Sequence, residues 1–115
     1  MTAYYETFKE FCEGIEREVK NPMKRKELME HEKAHVDEAI KRGYNPSFSL
    51  FRDEYGFPGA SITIDVEEEG WRDVIAICLA PSNPSTADYQ SVVEAKCRLT
   101  INSIKRKIGE LFKKW

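Results

Sequence analysis

The pattern of apolar and polar positions predicts helices at both ends of the chain and strands in its middle. From residue 3 to residue 20, apolar side chains recur at three- and four-residue steps with charges between them, which predicts one amphipathic helix. Asn21 and Pro22 break that pattern, and the proline suits the first turn of a second helix, predicted over Met23–Arg42. Gly43 follows at a position that favours a left-handed helix cap.

The middle third has the two-residue period of β-strands. Alternation predicts strands over Ser47–Arg52 and Ala60–Val66, and the β-formers of Trp71–Leu79 predict a third strand in the centre of the sheet. Glycine-containing turns separate the three segments. The middle of the chain is therefore predicted to be a small antiparallel sheet.

The last third is predicted to be one long helix of about 30 residues. Its start is marked by Ser85-x-x-Asp88, which is similar to a capping box with Asp in place of Glu or Gln. An apolar stripe at helical spacing is expected to be its buried face: Tyr89, Val93, Cys97, Ile101, Ile104, Ile108, Leu111 and Trp115. The order of elements predicts an α+β fold, with two N-terminal helices, a three-stranded antiparallel sheet and a long C-terminal helix, in a single domain over residues 1–115.

Composition narrows the functional classes. The 115 residues are 41% hydrophobic and 33% charged, which is enough core material for a folded domain without disulfide bonds. Eighteen basic and 20 acidic residues give a net charge of −2, so neither nucleic acid nor an anionic membrane is expected as a partner. Self-association is left open.

The cellular compartment is predicted from cysteine usage and from the N-terminus. Cys12, Cys78 and Cys97 are odd in number and far apart, which does not suit a disulfide framework. The first residues lack a signal-peptide pattern, and no stretch approaches the roughly 18 apolar residues of a membrane helix. A cytoplasmic location is expected.

The second predicted helix carries the motif His31-Glu32-Lys33-Ala34-His35, which is H-E-x-x-H. Histidines four residues apart lie one above the other on a helix, so both rings can reach one metal ion. Glu32 projects beside the first of them, where a carboxylate can act as general base on a metal-bound water. His31 and His35 are the only two histidines of the chain. Lys33 is the one departure, because this position is usually apolar.

A catalytic zinc site needs a third protein ligand and one open position. With no third histidine in the chain, that ligand must be a carboxylate. The preferred candidate is Glu94, which flanks the apolar stripe of the last helix. Asp88 is the alternative, although its place in the first turn also suits a helix cap. Glu38, one turn beyond His35, is a weaker candidate.

On these residues the chain resembles the minigluzincins, small prokaryotic proteins similar to the catalytic domains of membrane-integral metallopeptidases. The resemblance rests on the motif from His31 to His35 and, over most of the chain, on the order of the elements. It implies a minimal zincin-like fold that hydrolyses peptides or proteins with Zn²⁺ held by His31, His35 and Glu94, and with Glu32 as base. It also implies a latent enzyme whose cleft is covered by a terminal segment, for which Leu111–Trp115 is the candidate.

The resemblance further implies that substrate lies along an edge strand, for which Gly59–Ile62 is the candidate. A hydroxyl or a cation is expected to stabilise the oxyanion beside the metal, and Tyr44, Tyr55 and Tyr89 are candidate donors among which the sequence does not choose. The alternative function is a non-enzymatic protein-interaction or regulatory domain whose histidines are incidental or hold a structural metal. One zinc ion per chain, in a site that leaves one coordination position open, would favour the metallopeptidase over the non-enzymatic domain.

Overall fold

The computed structural model describes residues 2–67 and 70–113. Within these ranges the elements, in chain order, are β1 (Ala3–Tyr5), α1 (Phe8–Glu18), α2 (Pro22–Lys41), β2 (Ser47–Arg52), β3 (Pro58–Thr63), α3 (Trp71–Cys78) and α4 (Thr86–Lys113). The predicted α+β fold is confirmed: two N-terminal helices, a three-stranded antiparallel sheet and a long C-terminal helix are all present. None of the described helices combines the length and the apolar character needed to cross a bilayer.

The hydrophobic core lies between α1, α2 and the sheet. Phe11 and Ile15 of α1 are fully buried, and the Phe11 ring stacks on Phe48 of β2 with 5.1 Å between ring centroids. Val36 of α2 and Leu50 of β2 belong to the same cluster. Because Val36 follows His35 directly, the packing that anchors α2 also determines which way its histidines point.

The sheet has the order β1-β2-β3, so β3 lies at one edge. Both strand pairs are antiparallel, with Phe51 of β2 opposite Gly59 of β3. A Cβ atom at Gly59 would lie 2.6 Å from the Phe51 ring. The glycine therefore makes room for a cross-strand aromatic side chain.

The prediction of one helix over residues 3–20 is wrong at its start. Ala3–Tyr5 forms β1 and pairs with β2, since Tyr4 and Tyr5 have high strand propensity and an open sheet edge is available. Helix α1 begins after Thr7, whose hydroxyl accepts a hydrogen bond from the Glu10 N–H at 3.2 Å. Thr7-x-x-Glu10 is a capping-box sequence and was the local signal for this boundary.

The prediction of a strand over Trp71–Leu79 is also wrong, because these residues form α3 and its end. Helix α3 packs against both α2 and α4, so most of its circumference is at least partly buried. A short helix enclosed in this way has an almost continuous apolar run, which periodicity alone cannot distinguish from a central strand. The third strand of the sheet is β1 instead, and β3 ends at Thr63 rather than Val66.

The apolar stripe of the last helix is not buried. Helix α4 packs against α3 through its opposite side, where Val92 and Ala95 are its buried residues. The stripe residues from Tyr89 to Leu111 are exposed, and Trp115 lies outside the described residues. Both sides of α4 carry apolar residues, and only the tertiary contacts decide which of them is covered.

Candidate metal centre

Helix α2 presents the two histidines of the motif side by side. The helix begins at Pro22, and the Asn21 side chain accepts hydrogen bonds from the N–H groups of Met23 and Lys24. One turn apart, His31 and His35 bring their Nε2 atoms to 3.2 Å from each other. The helix alone therefore supplies two convergent nitrogen donors.

The third donor is Asp88, in the first turn of α4. The Asp88 Oδ2 atom accepts a hydrogen bond from the Ser85 N–H at 2.8 Å, and the Ser85 hydroxyl accepts one from the Asp88 N–H at 3.1 Å. The same Oδ2 lies 3.0 Å from His31 Nε2, and Oδ1 lies 3.2 Å from His35 Nε2. The predicted capping box thus exists, and it points the carboxylate at both histidines.

His31, His35 and Asp88 form a group that could hold a metal ion. Ligands about 2.0–2.1 Å from a tetrahedral zinc ion lie roughly 3.3 Å from one another. The two Nε2 atoms are 3.2 Å apart, and each lies 3.0–3.2 Å from a different oxygen of Asp88. With one ligand atom taken from each residue, the three atoms lie within 4.8 Å of one another, which is close to that spacing. Two imidazoles and a carboxylate are also a donor set typical of catalytic zinc, so the residues fit the ion.

A backbone carbonyl of α3 orients His35. The His35 Nδ1 atom lies 2.7 Å from the Ile77 carbonyl oxygen, in a buried hydrogen bond. A carbonyl only accepts, so Nδ1 carries the proton and, in the neutral ring, Nε2 presents its lone pair to the metal position. Ile77 lies in the last turn of α3, and its carbonyl also accepts a hydrogen bond from the Ala80 N–H at 3.3 Å. The strand predicted over Trp71–Leu79 gave no indication of this hydrogen bond.

Glu32 is buried, with 5% of its surface exposed, and lines the same cleft as the three donors. Burial, and secondarily the negative charge of Asp88, raises the pKa of Glu32 to about 8. A carboxyl group with this pKa can hold a proton near neutral pH and also release it. Perturbed carboxyl groups of this kind are typical of catalytic sites.

The pKa of Asp88 is shifted in the opposite direction from that of Glu32. Burial acts to raise its pKa, but the hydrogen bonds from Ser85 and the charges of His35 and His31 outweigh it, so the pKa of Asp88 lies below its ordinary value. The two neighbouring carboxyl groups therefore have opposite pKa shifts, with Asp88 favoured in its ionised form and Glu32 in its protonated form.

The preferred third ligand, Glu94, lies outside this group. Its side chain is 61% exposed, and its carboxylate is 3.9 Å from the Arg98 guanidinium. Six residues separate it from Asp88, which turns it roughly 120° around the helix. Glu38 is likewise engaged elsewhere, in an ion pair with Arg42 at 2.8 Å. The alternative ligand, Asp88, is the carboxylate that meets the histidines.

Two clefts meet beside His31 and Glu32. One, of about 380 Å³, is lined by α2, β3, α3 and the start of α4. The other, of about 940 Å³, extends from the N-terminal half of α2 toward the β2–β3 turn and residues 81–85. His31 and Glu32 line both clefts, so the two form one groove, and His35 and Asp88 line its smaller part.

Of the other residues predicted for the site, some line the groove and others lie outside it. Ala60–Ile62 of the candidate substrate strand lines the cleft beside the histidines. Tyr44 donates a 2.6 Å hydrogen bond to Asp73, whereas Tyr55 and Tyr89 are exposed, and none of the three lines the groove. In the candidate blocking segment, residues 111–113 are exposed, and residues 114–115 lie outside the described residues.

Comparison of the chain with protein-family models, with curated proteins and with solved structures found no match. The likeness to minigluzincins therefore remains a prediction from the motif and the order of elements.

Proposed function

We propose that this chain is a zinc-dependent metallopeptidase. The observation that carries the proposal is the convergence of His31, His35 and Asp88 at 3.0–3.2 Å, with buried Glu32 in the same cleft. Two histidines and one carboxylate leave a tetrahedral ion with one open position, as catalysis requires. A purely structural site would instead surround the ion with four protein ligands.

Each residue has a separate task in this proposal. When bound, zinc supplies a water of lowered pKa, polarises the substrate carbonyl and favours ionised Glu32 by its charge. The Glu32 carboxylate accepts a proton from the attacking water and passes it to the leaving amine. The hydrogen bond from His35 Nδ1 to Ile77 holds the ring in its ligating orientation. The capping box does the same for Asp88.

A peptide suits the groove because β3 is a sheet edge beside the site. An extended peptide can add to such an edge through main-chain hydrogen bonds. Ala60 and Ser61 have small side chains and line the cleft, which leaves space for a second backbone. A peptide added to β3 would run along the cleft that Glu32 also lines.

The test compares two matched substitutions of Glu to Gln, at Glu32 and at exposed Glu94. Metal content per chain and hydrolysis of a mixture of fluorogenic peptides are measured on both variants and on wild type. Glu32→Gln should keep one zinc per chain and lose about 10²- to 10⁴-fold in hydrolysis, because only the proton carrier is removed. Glu94→Gln should match wild type in both measurements.

Three results would contradict the proposal. One is wild type that takes up no zinc from excess metal. Another is iron instead of zinc, since two histidines and a carboxylate also suit iron. The third is Glu32→Gln with wild-type hydrolysis. The assay also includes a chain that ends at Glu110, so that a covering tail cannot hide the activity. Zinc without hydrolysis in either chain would favour the alternative, a non-enzymatic domain with a structural ion.

A further inference from the structure

The C-terminal half of α4 carries an apolar face that is exposed. We call it the C-terminal apolar face, and its members are Ile101, Ile104, Ile108, Leu111 and Phe112, which are 46–75% exposed. At 100° per residue they fall within an arc of about 100° on one side of the helix. Helix α4 packs against α3, where its buried residues lie before residue 96. The molecule extends 64 Å along its long axis and less than 30 Å along the others.

Basic residues surround this face. The last 20 residues contain seven of the chain's 18 Lys and Arg residues but one of its 20 Asp and Glu residues, Glu110. This segment has a formal charge of +6, whereas the preceding 95 residues have a charge of −8. The overall charge of −2 therefore conceals a strong separation of charge along the chain.

The arrangement around the helix is that of an interfacial amphipathic helix. Around the helix, Lys105 lies next to the edge of the apolar face formed by Phe112, and Lys107 lies next to the edge formed by Leu111. Arg106 and Lys113 occupy the opposite, polar side. Lysines at the borders of an apolar face can extend their amines to lipid head groups while their stems stay with the apolar side chains.

We propose that the C-terminal apolar face docks on an anionic lipid bilayer, with the helix parallel to the membrane plane. Residues 101–113 would span roughly 20 Å of the interface at 1.5 Å per residue. Apolar side chains enter the head-group boundary, and each Lys or Arg near the surface adds electrostatic attraction. The acidic remainder of the chain is repelled by the same surface, which favours contact through the C-terminal segment alone.

A second copy of this chain is a poorer occupant of the face. One row of side chains has the alternating four- and three-residue spacing of a coiled-coil seam: Cys97, Ile101, Ile104, Ile108 and Leu111. The charged side chains that flank this seam are all basic: Arg98, Lys105 and Lys107. Two such seams would bring like charges together in either a parallel or an antiparallel pair, which is destabilising.

The test is vesicle flotation of the full-length protein. One vesicle contains phosphatidylglycerol and phosphatidylcholine in roughly equal parts, and the other contains phosphatidylcholine alone. The variants are Lys105→Glu/Lys107→Glu and Ile104→Ser/Ile108→Ser. Their matched controls are Lys9→Glu/Lys26→Glu, which changes the net charge equally at exposed sites, and Tyr55→Ser, which removes an exposed aromatic ring from the β2–β3 turn.

Wild type should float with the anionic vesicles and remain behind with the neutral ones. The two-lysine variant should bind on the order of 100-fold more weakly, and the two-isoleucine variant roughly tenfold more weakly. Both controls should bind within about threefold of wild type, since the local attraction is unchanged. Zinc content should be the same in all of these proteins, which keeps this test independent of the metallopeptidase proposal.

Three results would overturn the lipid proposal. Wild type that fails to float with anionic vesicles would do so directly. Equal binding by the two-isoleucine variant would show that the apolar face is not inserted. Sedimentation equilibrium provides the third: a wild-type dimer that Ile104→Ser/Ile108→Ser dissociates would assign the face to a second copy instead.

Discussion

The two halves of α4 have the same backbone and very different surroundings. The first half packs on α3 through Val92 and Ala95 and directs Asp88 at the histidines. The second half leaves Ile104 and Ile108 about half exposed. Apolar residues occur at helical spacing in both halves. The difference shows that a helical pattern predicts a helix, while its neighbours in the fold decide which apolar positions are covered.

The largest effect should come from the first turn of α4. Asp88→Ala removes a metal donor and should weaken zinc affinity by at least about 100-fold, since removal of even the partners that orient a ligand costs 10–100-fold. Glu94→Ala, on an exposed side of the same helix, should leave affinity within about twofold. Competition against a zinc chelator measures both. Equal losses in the two variants would contradict the assignment of Asp88.

The buried carboxyl group of Glu32 should make the stability of the metal-free protein depend on pH. The pKa of Glu32 rises from its usual value of 4.5 to about 8, so between these pH values the folded state keeps a proton that the unfolded chain releases. The free energy of unfolding should therefore fall as pH rises through this window, by at most about 1.4 kcal/mol per unit. Glu32→Gln, which has no proton to lose, should lack this fall.

Urea unfolding at about pH 5.5 and about pH 7.5 measures the effect, in metal-free protein. The wild type should lose up to about 3 kcal/mol more than Glu32→Gln over these two pH units. The comparison with the variant isolates the contribution of Glu32, because all other ionisable groups are the same in the two proteins. Parallel pH profiles for the two proteins would mean that Glu32 is not held in its neutral form.

Two neighbouring valines on α4 offer a direct comparison of its two sides. Val92 is 5% exposed and Val93 is 61% exposed. Val92→Ala should lower the free energy of unfolding by about 2 kcal/mol, from two buried methyl groups and the cavity left behind. Val93→Ala should stay within about 0.5 kcal/mol, since alanine has the higher helix propensity and no packing is lost. Thermal unfolding distinguishes the two, and a larger cost at Val93 would reverse the assigned orientation of the helix.

The smallest effect is expected at the capping box. Ser85→Ala removes the hydroxyl that accepts the Asp88 N–H and should cost about 1 kcal/mol of stability. The Ser85 N–H still holds Asp88 Oδ2, so zinc affinity should fall by roughly tenfold or less. Chelator competition and thermal unfolding on one preparation test both. A loss of zinc as large as that in Asp88→Ala would show that the hydroxyl, and not the backbone, positions the ligand.

Local features of this chain could be predicted from the sequence. His31, Glu32 and His35 depend only on helix geometry, because residues four apart on any α-helix are neighbours. The capping box at Ser85 is equally local, and the structure contains it. The fold class followed from the order of periodic segments.

Features that depend on tertiary contacts could not be predicted in the same way. Choosing Asp88 over Glu94 requires knowing which side of α4 faces α2. The strand predicted over Trp71–Leu79 is helix α3, because an almost continuous apolar run suits both an enclosed short helix and a central strand. The basic character of the C-terminal segment, by contrast, can be read directly from the sequence, but the net charge of the whole chain does not reveal it.

Asp88 lies near one end of a continuous helix that ends at Lys113. The 25 residue steps from Asp88 to Lys113 make this part of the helix a lever of about 37 Å. A tilt of about 5° around Asp88 moves the far end by roughly 3 Å, while the carboxylate itself mainly rotates. A load applied at the far end therefore reaches the candidate metal centre as a change in the angle of one ligand, with little translation of the others.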